Sequence, residues 1–297
     1  MDTPARDPVD VVRRFNRSHA QRSGTVAESF LETGRAYGPS RVLFEVGAAG
    51  ATARDLRTRL ELDSGYLSRL LRQLEAEGLV TTDPDPADGR RRTVQLTPAG
   101  VTAWNELDAR SDERAAAMLD GLSDRQRDRL AALLEEADRL LLAASTEFAA
   151  IDPESATAIE AMTTYFDELD RRFAGGFDPG DTLTADAPAM RAPAGAFVVA
   201  RADGRLAGCG GVVRHDDRTG EIKRMWVHAD WRGCGVGARL LAALEATVTE
   251  LGYERIVLDT NETLSEAIAM YERAGYTPIE RYNGNPYAHR WFEKRPT

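Results

Sequence analysis

Two hydrophobic rhythms divide this chain. Leu67, Leu70, Leu71 and Leu74 stand at i, i+3, i+4 and i+7, which makes one face of a helix. Leu130, Leu133, Leu134, Ala137, Leu140 and Leu141 form another such face. Past about residue 143 the pattern changes. Short apolar runs at 196–200, 206–213, 221–228 and 255–259 read as strands, with helical patterns between them at 235–251 and 264–274. Helix-start signals fit this division. Asp7-Pro8, Thr97-Pro98 and Asp152-Pro153 each set an N-cap before a proline at the first helical position. Ser123-Asp124-Arg125-Gln126 is a capping box. Helices are therefore expected from about 8, 98, 124 and 153, the last running to about 173. The pattern predicts a mainly-α domain over 1–143, a linker over 144–152 and an α/β domain over 153–297.

The first domain contains a recognisable unit. Thr52 caps a short helix, and Asp63 or Ser64 caps a second one that Gly78 closes. The leucines take the inner face of the second helix. Ser64, Gly65, Ser68, Arg69 and Arg72 fall on its outer side, small at the start and basic further on. Helix, short turn, helix with such a face is the helix-turn-helix pattern, whose second helix enters the major groove. Two strand-like runs, 79–82 and 93–97, then flank a turn holding Asp88, Arg90, Arg91 and Arg92. That turn reads as a wing whose arginines reach phosphates or a minor groove.

Leu74-Glu75-x-x-Gly78-Leu79-Val80, Asp88-x-Arg90 and Leu96-Thr97-x-x-Gly100 resemble the MarR family of winged helix-turn-helix regulators. The resemblance covers roughly residues 30–143. It implies that Asp88 and Arg90 shape and charge the wing, that the end helices form a homodimer, and that the partner is inverted-repeat duplex DNA. Gly89 departs from the family, whose members often carry another basic residue there, and Arg91 and Arg92 stand ready to compensate.

Composition narrows the classes. The net charge of −10 divides as 21 basic against 24 acidic residues up to 145, and 17 against 24 beyond it. Indiscriminate coating of DNA is excluded, so any DNA site is a local basic face with salt-dependent affinity. No apolar run reaches the ~18 residues of a membrane span, and Met1-Asp2-Thr3-Pro4 lacks the order of a signal peptide. Cys209 and Cys234 show no metal-ligand spacing. A cytoplasmic protein without membrane or metal partners is the expectation.

The second domain carries the chemistry. A strand ending at Trp226 and Val227 leads through a short loop to Arg232-Gly233-Cys234-Gly235-Val236-Gly237-Ala238, which opens a helix. Glycines let backbone approach a phosphate, and a helix start offers free N–H groups and a positive dipole end. A dinucleotide fingerprint would need glycine where Leu240 stands, and no Gly-Lys-Ser/Thr is present.

Arg-x-x-Gly-x-Gly after a Val-ended strand, with the strand 255–260 and Tyr271-x-x-x-Gly275-Tyr276, resembles the GNAT family of N-acetyltransferases. The resemblance covers about residues 150–293. It implies that acetyl-CoA is the acetyl donor, with its pyrophosphate on the amides of 233–238 and its pantetheine arm along the main chain of Trp226 and Val227. It also implies direct attack by a primary amine in a ternary complex. Tyr271 matches the family's acid, and Glu221, eleven residues before Arg232, matches the base of its protein-modifying members. One position departs. Leu264 stands seven residues before Tyr271, where many members have asparagine, and Asn261 stands ten before. Either an insertion returns Asn261 to the cofactor or it has another role. His228 and His289 are weaker base candidates. The tail 282–292 mixes turn formers with aromatics, which suits a small amine or amino acid as acceptor, with a protein lysine as the alternative.

A bifunctional regulator and acetyltransferase is the reading. Two rivals remain: a regulator whose second domain only senses acyl-CoA, and an enzyme whose winged helix only dimerises it.

Overall fold

The computed structural model describes residues 7–84, 92–173, 175–178 and 187–296. They fall into two units, 1–128 and 129–297. In the first, Asp7 accepts a hydrogen bond from the Val9 amide and starts α1 (Pro8–Ser23). There follow α2 (Tyr37–Val46), β1 (Ala51–Thr52), α3 (Ala53–Arg59), α4 (Ser64–Ala76), β2 (Val80–Pro84), β3 (Arg92–Leu96) and α5 (Pro98–Leu119). The three strands pair antiparallel in the order β1-β3-β2. Leu43, Leu56, Leu74 and Val94 are fully enclosed at their centre. Asp63, rather than Ser64, caps α4, accepting from the Tyr66 amide.

One glycine is fixed by close approach. Gly100, in the first turn of α5, lies so near the Leu79 carbonyl that a Cβ there would stand 1.9 Å from its oxygen. That carbonyl also accepts from the Thr97 amide, which holds the strand-to-helix corner. Gly100→Ala must push backbone apart and is expected to cost the first unit about 2 kcal/mol. A melting curve that does not move in the variant would contradict this packing.

The second unit takes most of α6 (Asp124–Ala144), then β4 (Glu147–Ile151), α7 (Ala156–Arg172), β5 (Ala196–Ala202), β6 (Arg205–Arg214), β7 (Thr219–Val227), α8 (Val236–Glu250), β8 (Arg255–Thr260), α9 (Ser265–Arg273), β9 (Thr277–Pro278) and β10 (Arg290–Lys294). The sheet order is β4-β5-β6-β7-β8-β10-β9, and only β7 and β8 run parallel. Alternation along β5 sorts the two faces. Phe197 and Val199 pack with Ala161, Met162 and Phe166 of α7, whereas Val198 packs with Leu240, Leu244 and Val248 of α8.

Two expectations need correcting. The segment 144–152, read as a linker, holds the edge strand β4, paired from Glu147–Arg201 to Ile151–Phe197. Phe148 and Ile151 pack against the core, which draws this short stretch into the sheet. The helix expected from 153 begins at Ala156, because Ser155 caps it by accepting from the Ala158 amide. Asp152 instead pairs with Arg191. On α6, Leu133, Leu134, Leu140 and Leu141 are exposed in the single chain. Leu133 is 52% and Leu141 68% exposed.

Candidate functional site

The site starts where two parallel strands part. β7 pairs with β8 from Thr219–Arg255 to Ile222–Leu258 and no further, although β7 continues to Val227 and β8 to Thr260. On its other side β7 stays paired to β6, but the register slips between Cys209 and Gly211. Arg224 takes up the slip with φ 55°, a left-handed conformation rare for a side-chain-bearing residue. Strands that diverge leave main-chain groups on their facing edges and a cleft between them. A cavity of about 560 Å³ lies there, reached by Arg224, Met225, Asp259, Asn261, Tyr271 and Tyr287 among others.

Beyond the end of β7, residues 232–238 lead into α8. Gly235 is the N-cap with φ 84°, and no side chain caps the helix. The space over Gly233 and Gly235 is open, with no atom within 4 Å of where a Cβ would be. Arg232 braces the loop. Its Nε donates to the Val227 carbonyl at 3.0 Å, and its guanidinium also bonds Glu168 of α7. The Trp226 indole donates to the same carboxylate at 2.7 Å. Burial opposes ionisation of Glu168, but the bonds from Trp226 and Arg232 prevail and hold its carboxyl below the ordinary value of 4.5. This bracket therefore stabilises the fold fully above that value and loosens as pH falls through the depressed folded one.

Within the cavity, Tyr271 is buried and its hydroxyl lies 3.9 Å from the Met225 sulfur. Burial raises its pKa well above the ordinary tyrosine value, so the phenol keeps its proton. Asp259 accepts from Asn283 and, at 3.0 Å, from the Asn285 amide group. Asn283 also donates to Glu221 at 3.3 Å, which links the two carboxylates. Glu221 is buried behind the wall, accepting from the Tyr282 hydroxyl at 2.9 Å, with Lys223 at 3.9 Å.

In the first unit, Ser64, Gly65, Ser68, Arg69 and Arg72 are all exposed on α4, opposite the buried Leu67, Leu70, Leu71 and Leu74. Arg72 Nε donates to the Ser68 carbonyl at 3.1 Å, and the Arg69 guanidinium lies over the Tyr66 ring at 5.6 Å. Arg92 donates to the Thr82 carbonyl across the β2–β3 hairpin. Asp88, Arg90 and Arg91 lie outside the described residues.

Comparison with known proteins finds a family match in each unit. The Acetyltransferase (GNAT) family matches residues 161–276, and the MarR family matches residues 37–91. The chain joins a MarR-family region to a GNAT-family domain. An IAA acetyltransferase of Azospirillum brasilense is 29% identical over 131 residues, 43% of this chain and 86% of that protein. A Thauera aromatica protein named for transcriptional regulation of the hcr operon is 32% identical over 89 residues, 29% of this chain and 52% of that protein. Among solved structures, a MarR-family regulator from Rhodococcus sp. RHA1 aligns at 22% identity and TM-score 0.37, covering 45% of this chain and 97% of that one. The GNAT domain is an N-acetyltransferase domain.

The glycine-rich segment 232–238 runs into the start of α8. Gly233 and Gly235 stand open before α8 and Ala238 is exposed in its first turn, whereas a Cβ at Gly237 would meet the Met270 sulfur at 3.2 Å. Val236 points into the core, and Cys234 is half-buried with its thiol 3.6 Å from the Arg232 carbonyl. Asn261 is bonded within the protein. Its Nδ2 donates to the Tyr287 carbonyl at 2.7 Å, and its Oδ1 accepts from the amide and hydroxyl of Thr263. The side chain braces the cavity wall. Glu168, Asp259 and Asn283 are structural partners of the GNAT site that sequence reasoning missed.

Proposed function

We propose that this protein is an acetyl-CoA-dependent N-acetyltransferase acting on a small primary amine, joined to a dimeric DNA-binding regulator. What supports the first part is the helix start at Gly235, which no side chain caps, in the same unit as a cavity lined by Tyr271 and Asp259. The amides of 233–238 suit the pyrophosphate, and the unpaired edge of β7 near Trp226 and Val227 suits the pantetheine arm. Bound acetyl-CoA supplies a thioester carbonyl to the cavity.

The protein's residues then have two proton tasks. A primary amine with pKa near 10.4 is only about one part in 10³ neutral at pH 7, so its ammonium must lose a proton before attack. Asp259 faces the cavity and Glu221 stands behind it through Asn283, so this acidic pair is the proton acceptor. Tyr271 supplies a proton to the departing sulfur. Glu221→Gln and Asp259→Asn are each expected to lower amine-dependent thiol release by about tenfold or more at neutral pH. The screen uses small amines, amino acids and lysine peptides as acceptors. Unchanged pH–rate profiles in both variants would leave the amine's proton to bulk water.

For the MarR region we propose a homodimer on inverted-repeat duplex DNA. Support comes from the exposed Arg69 and Arg72 on the outer face of α4. The apolar residues Val9, Val12 and Phe15 of α1, and Leu133 and Leu141 of α6, are exposed in the single chain and supply surface for a second copy. Arg72→Ala is expected to relax base preference by about 1–3 kcal/mol at one position, whereas Arg92→Ala weakens all sequences alike with a shallower salt dependence. Selection from a random duplex pool with the full chain checks this. Failure to enrich any sequence at low salt would reduce the region to a dimerisation module.

A further inference from the structure

The cavity joins a wall of rings to a single carboxylate without a charged partner. Phe173, Phe177 and Tyr287 line it, with ring centroids 4.7–6.0 Å apart, and Phe166 joins them through Phe177 at 5.4 Å. Phe173, Phe177 and Tyr287 are only half-buried, so the cluster keeps ring surface open after packing against its own members. Two main-chain bonds fix this wall. The Phe177 amide donates to Asp170 at 2.9 Å, and the next amide donates to the Tyr287 hydroxyl at 3.1 Å.

The charged residues lining the cavity are Asp178, Lys223, Arg224 and Asp259. The first three already have partners within the protein, among them Glu221 for Lys223 and the Phe166 ring and Met162 sulfur for Arg224. Asp259 differs. Among the described residues its hydrogen-bond partners are the neutral amides of Asn283 and Asn285, and it has no ion pair. A carboxylate has about four acceptor positions, so room remains for an ammonium, whose charge the two amides do not supply. A carboxylate on the acceptor would meet no unengaged cation, and leaving the water without one is costly.

One turn holds the ring wall and the carboxylate together. Asn285 donates to Asp259 at 3.0 Å and accepts from the Tyr287 amide at 3.0 Å, while Asn261 donates to the Tyr287 carbonyl at 2.7 Å. The Tyr287 ring and the Asp259 carboxylate are thus linked through the single side chain of Asn285, which suits a short tether between an aromatic ring and an amine.

We propose that the acceptor is an arylalkylamine without a carboxylate: its ring against the Phe173–Phe177–Tyr287 cluster and its ammonium on Asp259. The inference rests on the transferase reading above. In the transfer, the ammonium gives one proton to the acidic pair. A C–N bond to the acetyl carbon forms as the C–S bond breaks. The nitrogen sheds a second proton and the thiolate takes one, so the products are the N-acetyl arylalkylamine, the free thiol and one released proton.

Three acceptors test this with the full chain and acetyl-CoA: phenethylamine, ethylamine and phenylalanine. Phenethylamine is expected to exceed ethylamine by about 10- to 100-fold in kcat/KM, the value of burying one phenyl group. It should exceed phenylalanine by about tenfold or more, which reports the missing partner for a carboxylate. Phe177→Ala should cut the phenethylamine-to-ethylamine ratio by about tenfold. The ratio is the readout because a folding defect or weaker acetyl-CoA binding lowers both rates alike. Ethylamine or phenylalanine matching phenethylamine on the parent protein overturns the inference while leaving the transferase intact, and that comparison needs no variant. No thiol release with any acceptor, in a protein that binds acetyl-CoA, overturns the transferase reading and the inference with it.

Discussion

Tyr271→Phe is expected to lower kcat by about 100-fold or more while leaving the KM for acetyl-CoA nearly unchanged. The asymmetry follows from where the hydroxyl sits and what the ring does. The ring packs in the core beside Tyr276 and Phe292, and phenylalanine keeps that packing. The hydroxyl's hydrogen-bond neighbour in the protein is the Met225 sulfur at 3.9 Å, a weak acceptor, so its loss costs little stability. Burial holds the phenol protonated, which is the state an acid requires. Its proton is needed only as the C–S bond breaks, and an interaction made only in the transition state appears in kcat. Steady-state kinetics with an unchanged melting temperature would complete the case. A variant with the parent's kcat would assign protonation of the thiolate to water.

The second large effect is on binding. Gly235→Asp is expected to weaken acetyl-CoA about 100-fold relative to Gly235→Asn. The pair is chosen for its backbone. Gly235 has φ 84°, and asparagine and aspartate tolerate the left-handed region better than other side chains. Both variants carry the same strain and nearly the same volume into a space where no protein atom lies within 4 Å of the Cβ. They differ in one negative charge placed against the helix start that is to hold phosphate oxygens. Calorimetry with acetyl-CoA reads the difference. Equal affinities would move the pyrophosphate away from residues 233–238.

Much of this site could be read from residues close together in sequence. The glycines at 233, 235 and 237, the helix-turn-helix leucines and Tyr271 each sit in a local pattern with a local physical reason. What could not be read lies between distant elements. Glu168 joins Trp226 and Arg232 across 58 and 64 residues, and nothing in the α7 periodicity sets it apart from other exposed-face acids. Asp259 ends a strand as many carboxylates do. Its meaning comes from Asn283 and Asn285, which the chain brings back by way of β9 and a long turn. Asn261 lies off the family spacing, where Leu264 stands, and its side-chain amide bonds to Tyr287 and Thr263, contacts that the sequence does not signal. The strand β4 was hidden because five residues between a helix and a turn carry little pattern, and its pairing with β5 is a long-range event. The leucines of α6 have the periodicity of a buried face, yet Leu133, Leu134, Leu140 and Leu141 are exposed in the single chain.

The most direct measurement is mass spectrometry of the acceptor after incubation of the full chain with acetyl-CoA and the amine and amino-acid panel, with thiol release followed in parallel. The account predicts that at least one small amine gains a single acetyl group, in equal amount to the thiol released, and that Tyr271→Phe slows both together. Binding of acetyl-CoA with no acetylated product from any acceptor would contradict it and identify the GNAT domain as an acyl-CoA sensor.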